Sequence, residues 1–147
     1  MKVDAPATFF NKSETLAVIG VSKNPKKFSR LVYENFKRKG YSVLPVNPHA
    51  HVIGDDICYT LASLPQTVSK AVIVTKPECT DDIIKELTKT SISSIWVQQM
   101  CNTPATKKIA EASNIFLITG KCAIMYTQPV NGLHAVHKRL AQLFNVY

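Results

Sequence analysis

Five short runs of β-branched and other apolar residues recur along the chain, and between most of them the apolar spacing switches to the helical period. The runs are Leu16 to Ile19, Tyr41 to Val46, Ala71 to Thr75, Ile92 to Val97 and Ile115 to Ile118. Each is nearly continuous in apolar residues rather than alternating, the pattern of a strand covered on both faces. After the first run, Phe28, Leu31, Val32 and Phe36 follow helical spacing, and Gly40 suits the position just past that helix. Thr80 or Asp81 can cap a helix carrying Ile83, Ile84 and Leu87; Asn102 or Thr103 can cap another, with Pro104 early and Ile109 on its buried side. Strands separated by helices predict an α/β fold: a Rossmann-like, three-layer α/β/α sandwich around a parallel five-stranded sheet. With strands numbered along the chain, the predicted order is 3-2-1-4-5. Pro45 donates no ladder bond and is expected near its strand's end. His49 to Ser69 reads as an irregular crossover, with one short helix around Leu61.

Leu133, Val136, Leu140, Leu143 and Phe144 mark an amphipathic closing helix. The expected organisation is one domain, residues 1–147, with a core of about 14–126 and a helical extension over 127–147. A chain of 147 residues is long enough to bury a core without disulfides or metal. No apolar run approaches the roughly 18 residues of a spanning helix, so no membrane role is expected. Met1 to Glu14 lacks the pattern of a secretory signal, and the expected location is the cytoplasm. Cys58, Cys79, Cys101 and Cys122 lie 21, 22 and 21 residues apart with no C-x-x-C pair, so reduced thiols are expected rather than a zinc site.

The net charge of +8 is uneven. Between Val21 and Gly40, Lys23, Lys26, Lys27, Arg30, Lys37, Arg38 and Lys39 face Glu34 alone. Lys37 to Lys39 complement the dipole at a helix end, but Lys23, Lys26 and Lys27 oppose it at a helix start, which points to a polyanionic partner there. In an open parallel sheet ligands bind beyond the carboxyl ends of the strands. The turn after the first strand is Gly20-Val21-Ser22-Lys23-Asn24-Pro25, whose amides entering a helix can cradle phosphate. It is not the dinucleotide fingerprint, because Ser22 replaces the second glycine. The second strand is followed by Asn47-Pro48, with no acidic residue for a nicotinamide ribose.

The stretch from Ala17 to Pro65 resembles the small stand-alone CoA-binding proteins, relatives of the N-terminal domain of the succinyl-CoA synthetase α subunit. The matching pieces are Gly20 to Pro25, Ser29, Gly40-Tyr41, Pro45 to Pro48, and Gly54 with Tyr59 and Leu61. Trp96-Val97-Gln98 looks like the family's W-x-Q segment, and Lys121-Cys122 occupies the place of a basic or polar residue and cysteine. Met125 to Val130, with Gly132, His134 and His137, resembles the C-terminal extension of one branch. The resemblance implies that coenzyme A or an acyl-CoA is bound, with the diphosphate at Ser22 to Pro25 and its charge neutralised by Lys23, Lys26 or Lys27. It further implies that Asn47, Pro48 and His49 shape the nucleotide end. Thr75-Lys76-Pro77 and Trp96-Val97-Gln98 would line the pantetheine arm, and Cys122 would approach the thiol end or serve as a structural cysteine.

Catalytic machinery is not in sight. The synthetase's phosphohistidine belongs to a second domain that the sequence does not show, and Gln98 stands where the synthetase has an acidic residue. There is no G-x-S-x-G elbow and no P-loop lysine. The expectation is therefore a binding protein, partnered by CoA or acyl-CoA and by a second copy or an acyl-CoA enzyme, with no nucleic acid. The alternatives are an NAD(P)-binding oxidoreductase-like domain and a basic nucleic-acid-binding module. The first lacks its glycine and acidic hook; the second lacks aromatics interleaved with the basic stretch, since Phe28 and Phe36 are needed in the core. His134 and His137 have a chelating spacing, but His137 falls on the apolar stripe and no metal is expected.

Overall fold

The computed structural model describes residues 5–127; the predicted closing helix and the His134/His137 pair lie outside them. In chain order the elements are α1 (Ala5–Thr8), β1 (Thr15–Ile19), α2 (Phe28–Arg38), β2 (Ser42–Val46), β3 (Val52–Ile53), β4 (Asp56–Ile57), β5 (Lys70–Ile73), α3 (Pro77–Leu87), β6 (Ser94–Gln98), α4 (Thr106–Ala112), β7 (Phe116–Lys121) and a 3-10 turn, Ala123–Tyr126. Five strands form one sheet, and every neighbouring pair in it is parallel. The sheet has helices on both faces, as the sequence predicts. Leu16, Val18, Val72, Trp96 and Ile118 point to the α2 side, where Phe28, Val32 and Phe36 meet them. Ala17, Ile19, Ala71, Ile73, Ile95 and Val97 point to the side of α3 and α4, against Ile84, Leu87 and Ala110. Two buried faces on each strand are the reason the runs do not alternate.

The strand order differs from the prediction. It is β2-β1-β5-β6-β7, or 2-1-3-4-5 counting only the strands of this sheet, rather than 3-2-1-4-5. The reason lies in Pro45. On the outer side of β2 the Tyr59 N–H donates to the Pro45 carbonyl (2.8 Å), and the Asn47 N–H donates to the Tyr59 carbonyl (3.0 Å). That side is the one on which Pro45 has no N–H to give, so a full strand cannot pair there, and proline is tolerated because β2 is an edge. The third sheet strand, β5, instead pairs with the inner strand β1, from Leu16↔Lys70 to Ile19↔Ile73. The predicted helix around Leu61 is a turn, and the crossover's regular structure is the β3–β4 hairpin.

Helix α2 stops where the sequence predicts. The Gly40 N–H reaches the Lys37 carbonyl and the Tyr41 N–H reaches Phe36, closing the last turn around a glycine at φ 88°. The segment before β1 contributes more than its sequence alone indicates. Phe9 and Phe10 are buried against Trp96 at ring separations of 5.5 and 5.0 Å, covering a part of the sheet that α2 does not reach. Lys70 holds this segment down, donating to the Phe9 carbonyl (2.8 Å) and pairing with Glu14 (2.6 Å).

The hairpin is fastened to α2. Ile53 is buried beneath it, and Asp56 accepts hydrogen bonds from Tyr33 Oη (2.6 Å) and Lys37 Nζ. The Lys37 bond first, then the Tyr33 bond, hold the Asp56 carboxyl below its usual range. A pKa lower in the folded than in the unfolded chain means that the clasp contributes fully above the ordinary carboxylate range and is lost as pH falls below about 4. The pair is partly exposed, so its worth is about 1 kcal/mol or less. Asp56→Asn should lower the melting temperature slightly at pH 7, and the gap from wild type should narrow steadily as pH falls below about 4. A gap that stays constant through that range would contradict the clasp.

Candidate functional site at the carboxyl edge

The observed topology places the reversal of strand order between β1 and β5, and the crevice outside such a switch point is where open α/β sheets take ligands. Its walls are the turn from Gly20 to Lys27 and the loop Thr75-Lys76-Pro77. Gly20, at φ 96°, brings them together: a Cβ there would lie 2.4 Å from the Val74 carbonyl oxygen and 2.6 Å from Thr75 Cγ2.

The turn is held from within. Gly20 and Val21 donate to the Val46 carbonyl, Ser22 N–H to Ser29 Oγ (3.1 Å), Asn24 N–H to Ser22 Oγ (3.1 Å) and Lys26 N–H to Asn24 Oδ1 (2.9 Å). Of the N–H groups expected to cradle phosphate, those of Ser22 and Asn24 thus already meet side-chain oxygens. Arg30, legible in the sequence only as charge, braces the outside: it donates to the Lys23 carbonyl (3.2 Å) and to Glu34 (2.8 Å). The Glu34 spacing of four residues was the available signal. What the turn presents outward is charge. Lys23, Lys26 and Lys27 are exposed, α2 starts with no acidic residue in its first turn and no side-chain cap, and Lys76 stands exposed at the start of α3. Among the described residues neither Lys23 nor Lys26 pairs with a carboxylate.

Asn47 stands behind the turn. Its Nδ2 donates to the Val21 carbonyl (2.9 Å), tying β2's exit to the first turn, and its Oδ1 accepts the His49 N–H (2.8 Å) within its own loop. Pro48 and His49 are exposed beyond it. Thr75 is half-buried and shares a hydrogen bond with Thr80 (3.0 Å); Pro77 opens α3 at a position that needs no N–H. Thr80 in turn donates to the Cys101 carbonyl (2.6 Å), while Thr103 and Thr106 donate to the two oxygens of Asp81 (2.5 and 2.7 Å). These bonds tie the start of α3 to the start of α4.

Three predicted residues are placed away from the crevice surface. Trp96 is fully enclosed among Phe9, Phe10 and Tyr126, with its indole N–H donating to the Lys121 carbonyl (3.1 Å). Val97 is enclosed on the α3 side. Cys122 is buried in the α2-side core beneath the 3-10 turn, which Lys39 anchors through Thr127 (2.8 Å). Gln98 is also enclosed, but at the strand's end. Cys79, in the first turn of α3, is the exposed thiol; burial pushes Cys101 up to about 11. A cleft of about 630 Å³ bordered by Leu61, Leu64, Glu86 and Ser91 opens at the amino ends of β5 and β6, away from all of these residues. Among the described residues no helix is long and apolar enough to cross a membrane, and no cluster of three metal-binding side chains occurs.

Comparison with known proteins agrees with this fold. The uncharacterized protein YneT of Bacillus subtilis (strain 168) is 24% identical over 102 residues, covering 68% of this chain and 76% of YneT. A conserved hypothetical protein from Pyrococcus furiosus superposes with a TM-score of 0.74 at 28% identity, over 78% of this chain and 99% of that one. A Thermus thermophilus protein has the same fold, with a TM-score of 0.69 and 24% identity over 93% of this chain and 95% of its own. The family model for the CoA binding domain matches residues 14–128, from the start of β1 through the 3-10 turn and so across every wall of the crevice. With a matched span that contains the lysine-rich first turn, the chain belongs to the CoA-binding domain family.

Proposed function

We propose that this protein binds coenzyme A or an acyl-CoA at the carboxyl edge of its sheet and has no catalytic machinery of its own. The observation that carries the reading is the start of α2: three lysines, no acid and no cap, set beside the β1/β5 crevice in a chain of this family. The phosphates lie against Lys23, Lys26 and Lys27, within reach of the helix dipole, and the pantetheine arm crosses Thr75 toward β6. The binding is synthetase-like in its use of the first turn. Charge, rather than free amides, does most of the holding. Asp81 is engaged by two threonine hydroxyls and Gln98 is neutral, so neither supplies a general base. A domain of this kind, in the cytoplasm, carries its ligand to a second copy or to an acyl-CoA enzyme.

Selectivity tests the reading. CoA should bind more tightly than dephospho-CoA, and both more tightly than NAD, because the first turn is rich in lysine, no acid follows β2 and the amide of Asn47 is already engaged at both ends. Calorimetry with the three ligands measures this, and native mass spectrometry of the purified protein should show a CoA-sized adduct. Tighter binding of NAD would overturn the proposal.

A further inference from the structure

Strand β6 ends on Gln98, whose side chain is fully enclosed. Its Oε1 accepts the Ala123 N–H at 2.9 Å. That bond fixes the amide's orientation, since turning it over would set an NH2 against an N–H. Nε2 therefore faces away from Ala123, and it meets no acceptor among the described residues. Buried amides are ordinarily satisfied, so an enclosed donor without a partner is a binding valence left open.

Its position gives that valence a use. Trp96 points to the α2 side and Val97 to the other, so Gln98 returns to the α2 side, the side on which Val21 and Phe28, flanking the first turn, are packed. Strand β6 is two strands from β1, roughly 10 Å across the sheet. A ligand anchored by its phosphates at the first turn and crossing β5 brings the far end of its arm to β6. In free CoA that end is a thiol, a poor acceptor; in an acyl-CoA it carries the thioester carbonyl, a good one.

We propose that Gln98 Nε2 donates a hydrogen bond to the thioester carbonyl of an acyl-CoA, so that the domain distinguishes acylated from unacylated CoA. The proposal rests on the CoA reading above. Nε2 is closed off from solvent, so its engagement requires the loop over β6 or the Ala123 turn to shift. Met100, two residues on, sits in the left-handed region at φ 70° and is 65% exposed. A bulky residue there stores strain, and this loop is where a shift releases it.

The test titrates the full chain with CoA, acetyl-CoA and S-ethyl-CoA, a thioether of the same reach that lacks the carbonyl. Heat is one readout. Fluorescence is the other, because Trp96 is the chain's one tryptophan and its indole bonds Lys121, whose carbonyl lies two residues before Ala123. Acetyl-CoA should bind about tenfold more tightly than S-ethyl-CoA, the worth of one hydrogen bond. Gln98→Met keeps the volume and removes both polar atoms, and Gln98→Leu does so with a different shape. In either folded variant the ratio of the two affinities should fall to about one. Equal affinities in the wild type, or a preference that survives in Gln98→Met, would overturn the assignment. Failure of all three ligands to bind would overturn the CoA reading instead.

Discussion

Replacing Lys23 and Lys26 together by alanine is expected to weaken CoA binding by about a hundredfold or more, and to flatten its dependence on salt. A hydrogen bond from an ionised donor to phosphate is worth about 1.5–3 kcal/mol, so removing two such bonds at once costs upwards of about 3 kcal/mol, a factor of more than about a hundred. The salt slope falls because fewer phosphate charges are neutralised by the protein. Folding should not suffer. Both side chains are exposed, neither pairs with a carboxylate among the described residues, and both stand at the end of α2 where positive charge is unfavourable. The melting temperature should therefore hold or rise slightly while affinity collapses. This opposite movement separates a ligand-directed cluster from a solvated helix face. Calorimetry at two salt concentrations with parallel thermal melts measures both, and an unchanged affinity would return these lysines to the surface.

The same turn shows how far the sequence could be read. The lysines, the single glycine and the absence of an acid after β2 are local facts, and the fold sets that turn at the carboxyl edge of the sheet beside the exit of β5. The use of the turn's amides was not legible, because it depends on Ser29 Oγ coming back across seven residues to Ser22 and on Asn47 reaching Val21 from another strand. The surroundings of Trp96 were hidden for a related reason. Its position at a strand's carboxyl end is shared with ligand-binding residues, and only the packing of Phe9 and Phe10 from far upstream encloses it. The strand order was legible in principle. Pro45 inside an apolar run marks an edge strand, and taken so it places the third strand beside β1. Hydrophobic periodicity carries no information on which strand is whose neighbour, whereas a missing donor does.

Gly20→Ala should be the most damaging single substitution at the site, costing about 4 kcal/mol of stability. Two independent penalties add. At φ 96° an alanine adopts backbone that residues with a Cβ rarely enter, at about 1–3 kcal/mol. The new methyl would also press on the Val74 carbonyl oxygen at 2.4 Å and Thr75 Cγ2 at 2.6 Å, and overpacking costs about 1–3 kcal/mol more. Relief by a side-chain movement is not open, because the nearest atom belongs to the backbone of the adjoining strand's exit. The chain must instead part β1 from β5 at their carboxyl ends, where the Val74 N–H bonds the Ile19 carbonyl (2.9 Å), while on the other side the Gly20 N–H stays tied to Val46 of β2 (2.9 Å). The damage is therefore to the walls of the crevice as well as to the fold. Any folded fraction should bind CoA poorly even when its concentration is corrected for unfolding. Urea denaturation gives the stability loss from the shift in midpoint at unchanged slope. A variant as stable as wild type would show that the two walls are not in the contact described, and with it the geometry of the crevice would fall.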